Sequence, residues 1–298
     1  MRSRLLIYLL LAIMPLLFVS NVVIGRAVAH SIEPWTLAFW RWALASLILL
    51  PFAARSMVEN RVRLRAAAGD IFVLGFLGMA VCGGAFYLSL HWTTAIHGVL
   101  IYTVAPLLIV LLDAVFFGES ITVPRLVGMF FGFLGVATIV LEGEPQRLLT
   151  LAFNPGDIVM AICATAWAVY SVWLRRERVR AIPTLPAFAA ICIAGTLTLA
   201  PPMAFEVFSG FFPTGLAAWA AIVVLAVLPS VLAYGIFQIG VQAVGASVVS
   251  VFMYLLPVYG VVVANITLEE SFRAYHAAGL VLVLAGVVLA TNPFARRA

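Results

Sequence analysis

The sequence predicts an all-α integral membrane protein of ten transmembrane helices. Of 298 residues, 65% are hydrophobic and 10% charged, where an average soluble domain is about half apolar and about a quarter charged. Mean hydropathy is +1.16. Apolar runs near or above twenty residues recur along the whole chain, the length a helix needs to cross the hydrocarbon core. The short alternating segments of a membrane barrel are absent.

Charge and turn clusters place the ten spans at about 5–29, 34–54, 70–90, 94–117, 123–141, 156–175, 184–204, 215–237, 245–267 and 274–291. The first has a basic start and an A-x-A at Ala27 to Ala29, as a signal peptide would. Its apolar run is too long, and Arg26 falls just before the supposed cleavage site, so a retained first span is expected. The breaks combine Pro, Gly or Asn with a Ser or Thr able to cap the next helix. "FGESITVP" and "RRERVRAIP" are examples.

The net charge is +5, and every basic residue is arginine. The arginines sit in short connections, so they read as orientation signals and not as a nucleic-acid surface. Arg2, Arg4, Arg55, Arg61, Arg63, Arg65, Arg125, Arg175, Arg176, Arg178, Arg180, Arg296 and Arg297 fall on one side of a ten-span chain. The positive-inside rule makes that side cytoplasmic, with both termini inside and the chain in the inner (plasma) membrane. Arg147 and Arg273 fall outside, among Glu142, Glu144, Glu269 and Glu270. Cys82, Cys163 and Cys192 lie inside apolar runs and read as small packing residues.

A shift of 151 residues lays Pro106 on Pro257 without gaps over about sixty residues. Gly84 then meets Gly235, Glu119 meets Glu270, Gly128 meets Gly279 and Gly135 meets Gly286. The chain therefore divides into two five-helix repeats, residues 1–145 and 146–298. An odd helix count gives them opposite membrane topology, an inverted repeat. In secondary transporters such repeats place a binding site near the midplane and permit alternating access.

The stretch "SLHWTTAIHGVLIYTVAPLLIVLLDAVFFGESITVPRLVGMFFGFLGVATIV" resembles the EamA repeat of the drug/metabolite transporter (DMT) superfamily. Its marks are the turn before the fourth helix, the proline within it, the "G-E" after it and a glycine-rich fifth helix. "VQAVGASVVSVFMYLLPVYGVVVANITLEESFRAYHAAGLVLVLAGVVL" repeats the pattern, with Glu269–Glu270 where "G-E" is usual. Ser20–Asn21 and Arg41–Trp42 resemble the family's first and second helices. The resemblance implies a ten-helix transporter of small metabolites, often an exporter. Its aromatic-rich interior is similar to the YddG-type amino-acid exporters.

No metalloprotease, Walker, G-x-S-x-G or cofactor motif is present, and no paired intramembrane carboxylates, so an enzyme, a cofactor and a metal are not expected. What remains are polar and aromatic stripes on helix faces. Gly98, Tyr102, Pro106 and Asp113 share one face of the fourth span; Ser250, Tyr254, Pro257 and Asn265 share one of the ninth. Tyr234 and Gln238 belong to a stripe on the eighth, Trp167 and Tyr170 to one on the sixth, and Asn21 to one on the first. Tyr87 and His97 flank the junction of the third and fourth spans. Asn21, Tyr87, His97, Tyr102, Trp167, Tyr170, Tyr234, Gln238 and Tyr254 are the substrate-binding candidates; packing is the competing reading for each. Pro106 and Pro257 are candidate hinges in bent helices, and Asp113 a candidate gate, since its partner position is Ala264. Arg41 lies about two turns into its span, where an arginine needs a partner or water. Backbone pairing and attraction of a substrate carboxylate both remain open for it. Trp35, Trp42, Trp92, Trp173 and Trp219 read as interface anchors, and Glu119 and Glu270 as turn-and-cap residues.

The expected function is export of a small metabolite, most often an aromatic or other amphipathic amino acid, with the lipid bilayer and a small-molecule substrate as partners. A multidrug or other metabolite carrier is the alternative. A membrane-embedded lipid-modifying enzyme is a distant one.

Overall fold

The computed structural model describes residues 2–28, 31–93, 95–150, 152, 154–268 and 273–291, and all regular structure among them is helical. The long elements are α1 (Arg2–Val28), α2 (Pro34–Glu59), α3 (Ala68–Ser89), α4 (Ala95–Tyr102 and Ala105–Phe117), α5 (Val123–Val140), α6 (Pro155–Trp173), α7 (Thr184–Phe208) and α8 (Leu216–Val244). They are followed by α9 (Ala246–Val251, Phe252–Tyr254 and Leu255–Leu268) and α10 (Ala274–Thr291). Among the described residues nine helices are long and apolar enough to cross a membrane, and Ala274–Ala290 is a shorter apolar helix. Glu269, Glu270, Ser271, Arg296 and Arg297 lie outside the described residues, as does the side chain of Asn265.

Local chemistry explains the boundaries. Prolines stand in the first turn of α2, α5 and α6, where a missing N–H costs nothing. Asn154 opens α6 with a reciprocal capping box: its side chain accepts from the Asp157 N–H, and Asp157 accepts from the Asn154 N–H. Gly118 closes α4 in the left-handed region, at φ +64. α8 runs seven residues beyond the expected 237, to Val244. Gln238 and Gln242 are therefore both helical. The chain turns only at Gly245, whose φ of +90 suits glycine.

The fourth and ninth spans depart most from expectation. Neither is a continuous helix bent at its proline. α4 stops at Tyr102 and restarts at Ala105, so Pro106 occupies the first turn of a new helix. α9 passes through a 3₁₀ turn at Phe252–Tyr254 before Leu255 restarts it ahead of Pro257. α3 and α8 each contain wide π-helical turns, at Phe76–Ala85 and Ala226–Ala233. In α8 the cause is visible. Pro229 has no N–H for the carbonyl of Leu225, and the Ser230 hydroxyl donates to that carbonyl instead, at 2.7 Å.

The interior holds Leu11, Met14, Trp42, Leu74, Ile109, Met129 and Phe237, all essentially inaccessible. Trp42 is thus a core residue and not an interface anchor: it packs edge-on against Tyr234 with centroids 4.9 Å apart. Large apolar side chains such as Phe52, Phe116, Phe130 and Phe205 cover the outside, a surface suited to lipid.

Packing follows a swap of halves. α1 packs on α8 and α9; α6 packs on α3 and α4. α2 packs on α7, and α5 on α10. The α5–α10 seam is built from glycines. A Cβ on Gly128 would lie 2.5 Å from the Gly286 carbonyl oxygen, and one on Gly135 would lie 2.7 Å from that of Gly279. Small residues let helices in lipid approach this closely. Gly286→Val is expected to force α5 and α10 apart and lower folded yield, at a cost of about 1–3 kcal/mol. Gly260→Val is the control, because nothing lies within 4 Å of its added Cβ. Monodispersity and thermal stability in detergent check both. In the connection after α5, Arg147 pairs with Glu142 at 2.7 Å and Glu144 at 3.0 Å. Its hydrogen bond holds the Glu142 carboxyl below the usual range.

Candidate functional site

α1, α3, α4, α6, α8 and α9 enclose a cavity of about 130 Å³ at the level of the two helix breaks. Phe18, Phe86, Tyr102, Trp167, Tyr234 and Tyr254 supply its aromatic wall. Asn21, Arg26, Cys82 and Thr103 add polar atoms, and no aspartate or glutamate lines it among the described residues. Pro106 and Pro257 both reach the wall. Neither proline has an N–H to give the carbonyl four residues earlier. Those carbonyls belong to Tyr102 and Met253, which also line the cavity.

The wall is held from behind. The Tyr234 hydroxyl donates to the Gly78 carbonyl, inside the wide turns of α3, at 2.9 Å. Trp167 stacks on Tyr170 (5.5 Å, 23°) and meets Phe18 and Tyr234 edge-on. The Gln238 amide donates to the Tyr170 hydroxyl at 3.3 Å. Trp167 Nε1 and Tyr254 Oη are buried without a hydrogen-bond partner among the described residues. Such groups are rare in folded proteins, and both belong to side chains of the wall.

The sequence-derived candidates separate into wall and support. Asn21, Tyr102, Trp167, Tyr234, Tyr254, Pro106 and Pro257 line the cavity. Tyr87, Tyr170 and Gln238 are buried behind it. His97 is turned away: its Nδ1 lies 2.8 Å from Asp157 Oδ2, and Thr93 donates to Asp157 Oδ1 at 2.5 Å. This cluster ties the start of α4 to the start of α6. The Asn-Pro-Gly-Asp run at 154–157 signals the cap, but nothing local in the sequence signals the long-range partners.

Arg41 is 1% exposed. Its Nη1 donates to Asn21 Oδ1 and to the Tyr87 hydroxyl, the latter at 2.6 Å. Tyr87 in turn donates to Asn21 Oδ1 at 2.5 Å. Among the described residues Arg41 therefore pairs with side chains and not with backbone carbonyls.

Asp113 lies off the cavity, at the end of the bundle that carries Asp70 and Trp173. It pairs with Arg175 and accepts from the Ser247 hydroxyl at 2.5 Å. Arg175 also binds Glu119 at 2.8 Å, so Glu119 is an ion-pair residue and not a helix cap. These contacts join α4, the end of α6 and the start of α9. At the same end Asp70 accepts from Trp173 Nε1 and Arg176, and Thr184 meets Gln242. Arg26, Leu90 and Gly98 border the cavity toward the opposite end. There Glu206 accepts from the Trp35 and Thr36 N–H groups and closes α7 onto α2.

The model of the EamA-like transporter family matches residues 5–141 and again 154–292. The chain belongs to the EamA-like transporter family. It is a multi-pass membrane protein. Among its relatives, the uncharacterized transporter YyaM of Bacillus subtilis is 28% identical over 263 residues, covering 87% of this chain and 85% of that one. A probable terminal-alkyne amino-acid exporter of Streptantibioticus cattleyicolor is 30% identical, covering 71% of each chain. The aromatic amino acid exporter YddG of Ancylobacter novellus is also 30% identical, over 62% of this chain and 63% of its own. A crystal structure 21% identical superposes with a TM-score of 0.75, covering 95% of this chain and 96% of that one, which supports the fold. Among the described residues of this EamA-like transporter, no group of three His, Cys, Asp or Glu is placed to hold a metal ion.

Proposed function

We propose that this EamA-like transporter is a secondary carrier that exports small amphipathic metabolites, aromatic and other apolar amino acids foremost, by alternating access. The observation that carries this reading is the aromatic cavity where the broken α4 and α9 meet. An aromatic wall suits an apolar side chain, and a few fixed polar groups suit its polar end. Two relatives whose names specify amino-acid export agree with it.

Ten spans in two inverted repeats, residues 1–145 and 146–298, complete the proposal. Three facts support it: the family pattern matches twice, the helix contacts exchange when the halves are exchanged, and Gly128–Gly286 and Gly135–Gly279 are related by the same swap. The arginine distribution supports cytoplasmic termini in the inner membrane. The Asp113–Arg175 end is then the cytoplasmic one, and it is closed here while the cavity borders the other end.

Purified protein in liposomes, preloaded with unlabelled L-phenylalanine, is expected to accumulate labelled L-phenylalanine by saturable counterflow. Collapsing a proton gradient is expected to change the rate only weakly, because no carboxylate lines the cavity among the described residues. Absence of counterflow for every amino acid in a mixed panel would remove the amino-acid reading.

A further inference from the structure

We propose that the cavity recognises its substrate through a carboxylate, anchored at Asn21 with the Arg41 guanidinium behind it, and that the substrate's ammonium group is dispensable. The inference rests on the carrier reading and sharpens its substrate class to organic anions with an apolar body.

The charge pattern is one-sided. Arg41 is buried, yet no aspartate or glutamate pairs with it among the described residues. Its Nε has no hydrogen-bond partner there either. An unpaired cation removed from water is strongly unfavourable unless an anion or dipoles compensate. The compensation is the Asn21 carboxamide, the Tyr87 hydroxyl and the Trp42 ring, whose centroid lies 4.8 Å from the guanidinium carbon, and all three are neutral. A second cation, Arg26, stands on the cavity wall, and no acid does. The field in the cavity is therefore positive, and the part of it that comes from buried Arg41 is poorly screened, while Arg26 is exposed.

Asn21 transmits that charge. Arginine donates hydrogen bonds and accepts none, so the atom of Asn21 facing Arg41 is the carbonyl oxygen. Oδ1 accepts from both Arg41 and Tyr87. The group Asn21 has left to offer is Nδ2, which finds no acceptor among the described residues, on a side chain that lines the cavity. A cation bound to Oδ1 polarises the amide and makes Nδ2 a stronger donor. A carboxylate suits such a donor, with a charge-assisted bond.

An ammonium group has no comparable partner. The residues that line the cavity bring neutral oxygens only, among them the Tyr102 and Thr103 hydroxyls. A cationic amine would give up its hydration for these and face two arginines.

Three compounds with one phenyl ring test this: L-phenylalanine, 3-phenylpropionate and phenethylamine. Their binding is read as thermal stabilisation of the detergent-purified protein and as competition in counterflow. 3-Phenylpropionate is expected to stabilise and compete, and phenethylamine to do neither. Asn21→Asp places a carboxylate against Arg41 and is expected to fold. It should weaken 3-phenylpropionate roughly tenfold or more, the size of one lost charge-assisted bond. Equal or better binding of phenethylamine, no stabilisation by 3-phenylpropionate, or unchanged affinity in Asn21→Asp would overturn the proposal. Stabilisation by 3-phenylpropionate without transport of it or of any amino acid would sink the carrier reading and leave the anion site standing. Transport inhibited by phenethylamine alone would do the reverse.

Discussion

Asp113→Ala is expected to open the end of the bundle that is closed here. Asp113 is 1% exposed and holds together α4, Arg175 beyond α6, and Ser247 at the start of α9. Its removal leaves the Arg175 guanidinium, 12% exposed at the side chain, with Glu119 as its remaining carboxylate beside the Phe117 ring, and strips Ser247 of its acceptor. Breaking one partner out of a buried pair costs about 3–5 kcal/mol. That is enough to move a two-state equilibrium by more than roughly a hundredfold. The arrangement with the Asp113 end closed should lose its majority, and counterflow should slow as one access state becomes scarce. Asp113→Asn keeps an acceptor for Ser247 and should give a smaller effect. Arg175→Gln added to Asp113→Ala should cost little more than either change alone, because both remove the same contact. Alkylation of a thiol introduced by Thr103→Cys, in a background without the three native cysteines, reports which end is open. An unchanged labelling pattern in Asp113→Ala would reduce the network to a structural tie.

Pro106→Ala and Pro257→Ala are expected to slow transport while folded yield is kept. In each, the new residue carries an N–H that can reach the carbonyl four residues earlier and join the two helix pieces. One restored backbone bond contributes about 1 kcal/mol, and a barrier higher by that amount slows exchange roughly five-fold. The double variant should be slower than either single one, since the two breaks sit on separate helices. Initial counterflow rates at saturating and at low L-phenylalanine check this. An equal rise in KM without a fall in maximal rate would instead assign the prolines to the shape of the wall.

Much of this architecture was legible in the sequence, for identifiable reasons. Long apolar runs broken by arginine, proline and glycine fix where helices stand, because lipid leaves the backbone few other ways to satisfy its hydrogen bonds. The stripes containing Asn21, Tyr102, Trp167, Tyr234 and Tyr254 reach one cavity because helical spacing keeps each set on one face. The paired prolines announced something repeated. What they announced differed: a bend was expected, whereas the helix ends before Pro106 and re-forms around it. Periodicity cannot tell a kinked helix from two short ones. Partners distant in sequence were hidden altogether. Arg175 meets Asp113 across 62 positions and Glu206 meets Thr36 across 170, and neither has a local signature. Trp42 looked like an interface anchor beside Arg41, but the packing of Tyr234 draws it inside. His97, at the junction of the third and fourth spans, read as either a site residue or a structural one; it pairs with Asp157 and does not line the cavity.

Substrate protection at Thr103 tests the central claim, that the cavity between the broken helices is the transport site, most directly. Thr103 lines the wall, and its hydroxyl donates to the Val99 carbonyl in the preceding turn. Thr103→Cys is therefore expected to keep transport. Alkylating that thiol with a bulky maleimide should abolish L-phenylalanine counterflow, and excess L-phenylalanine or 3-phenylpropionate should slow the alkylation. Full counterflow after complete alkylation would contradict the account.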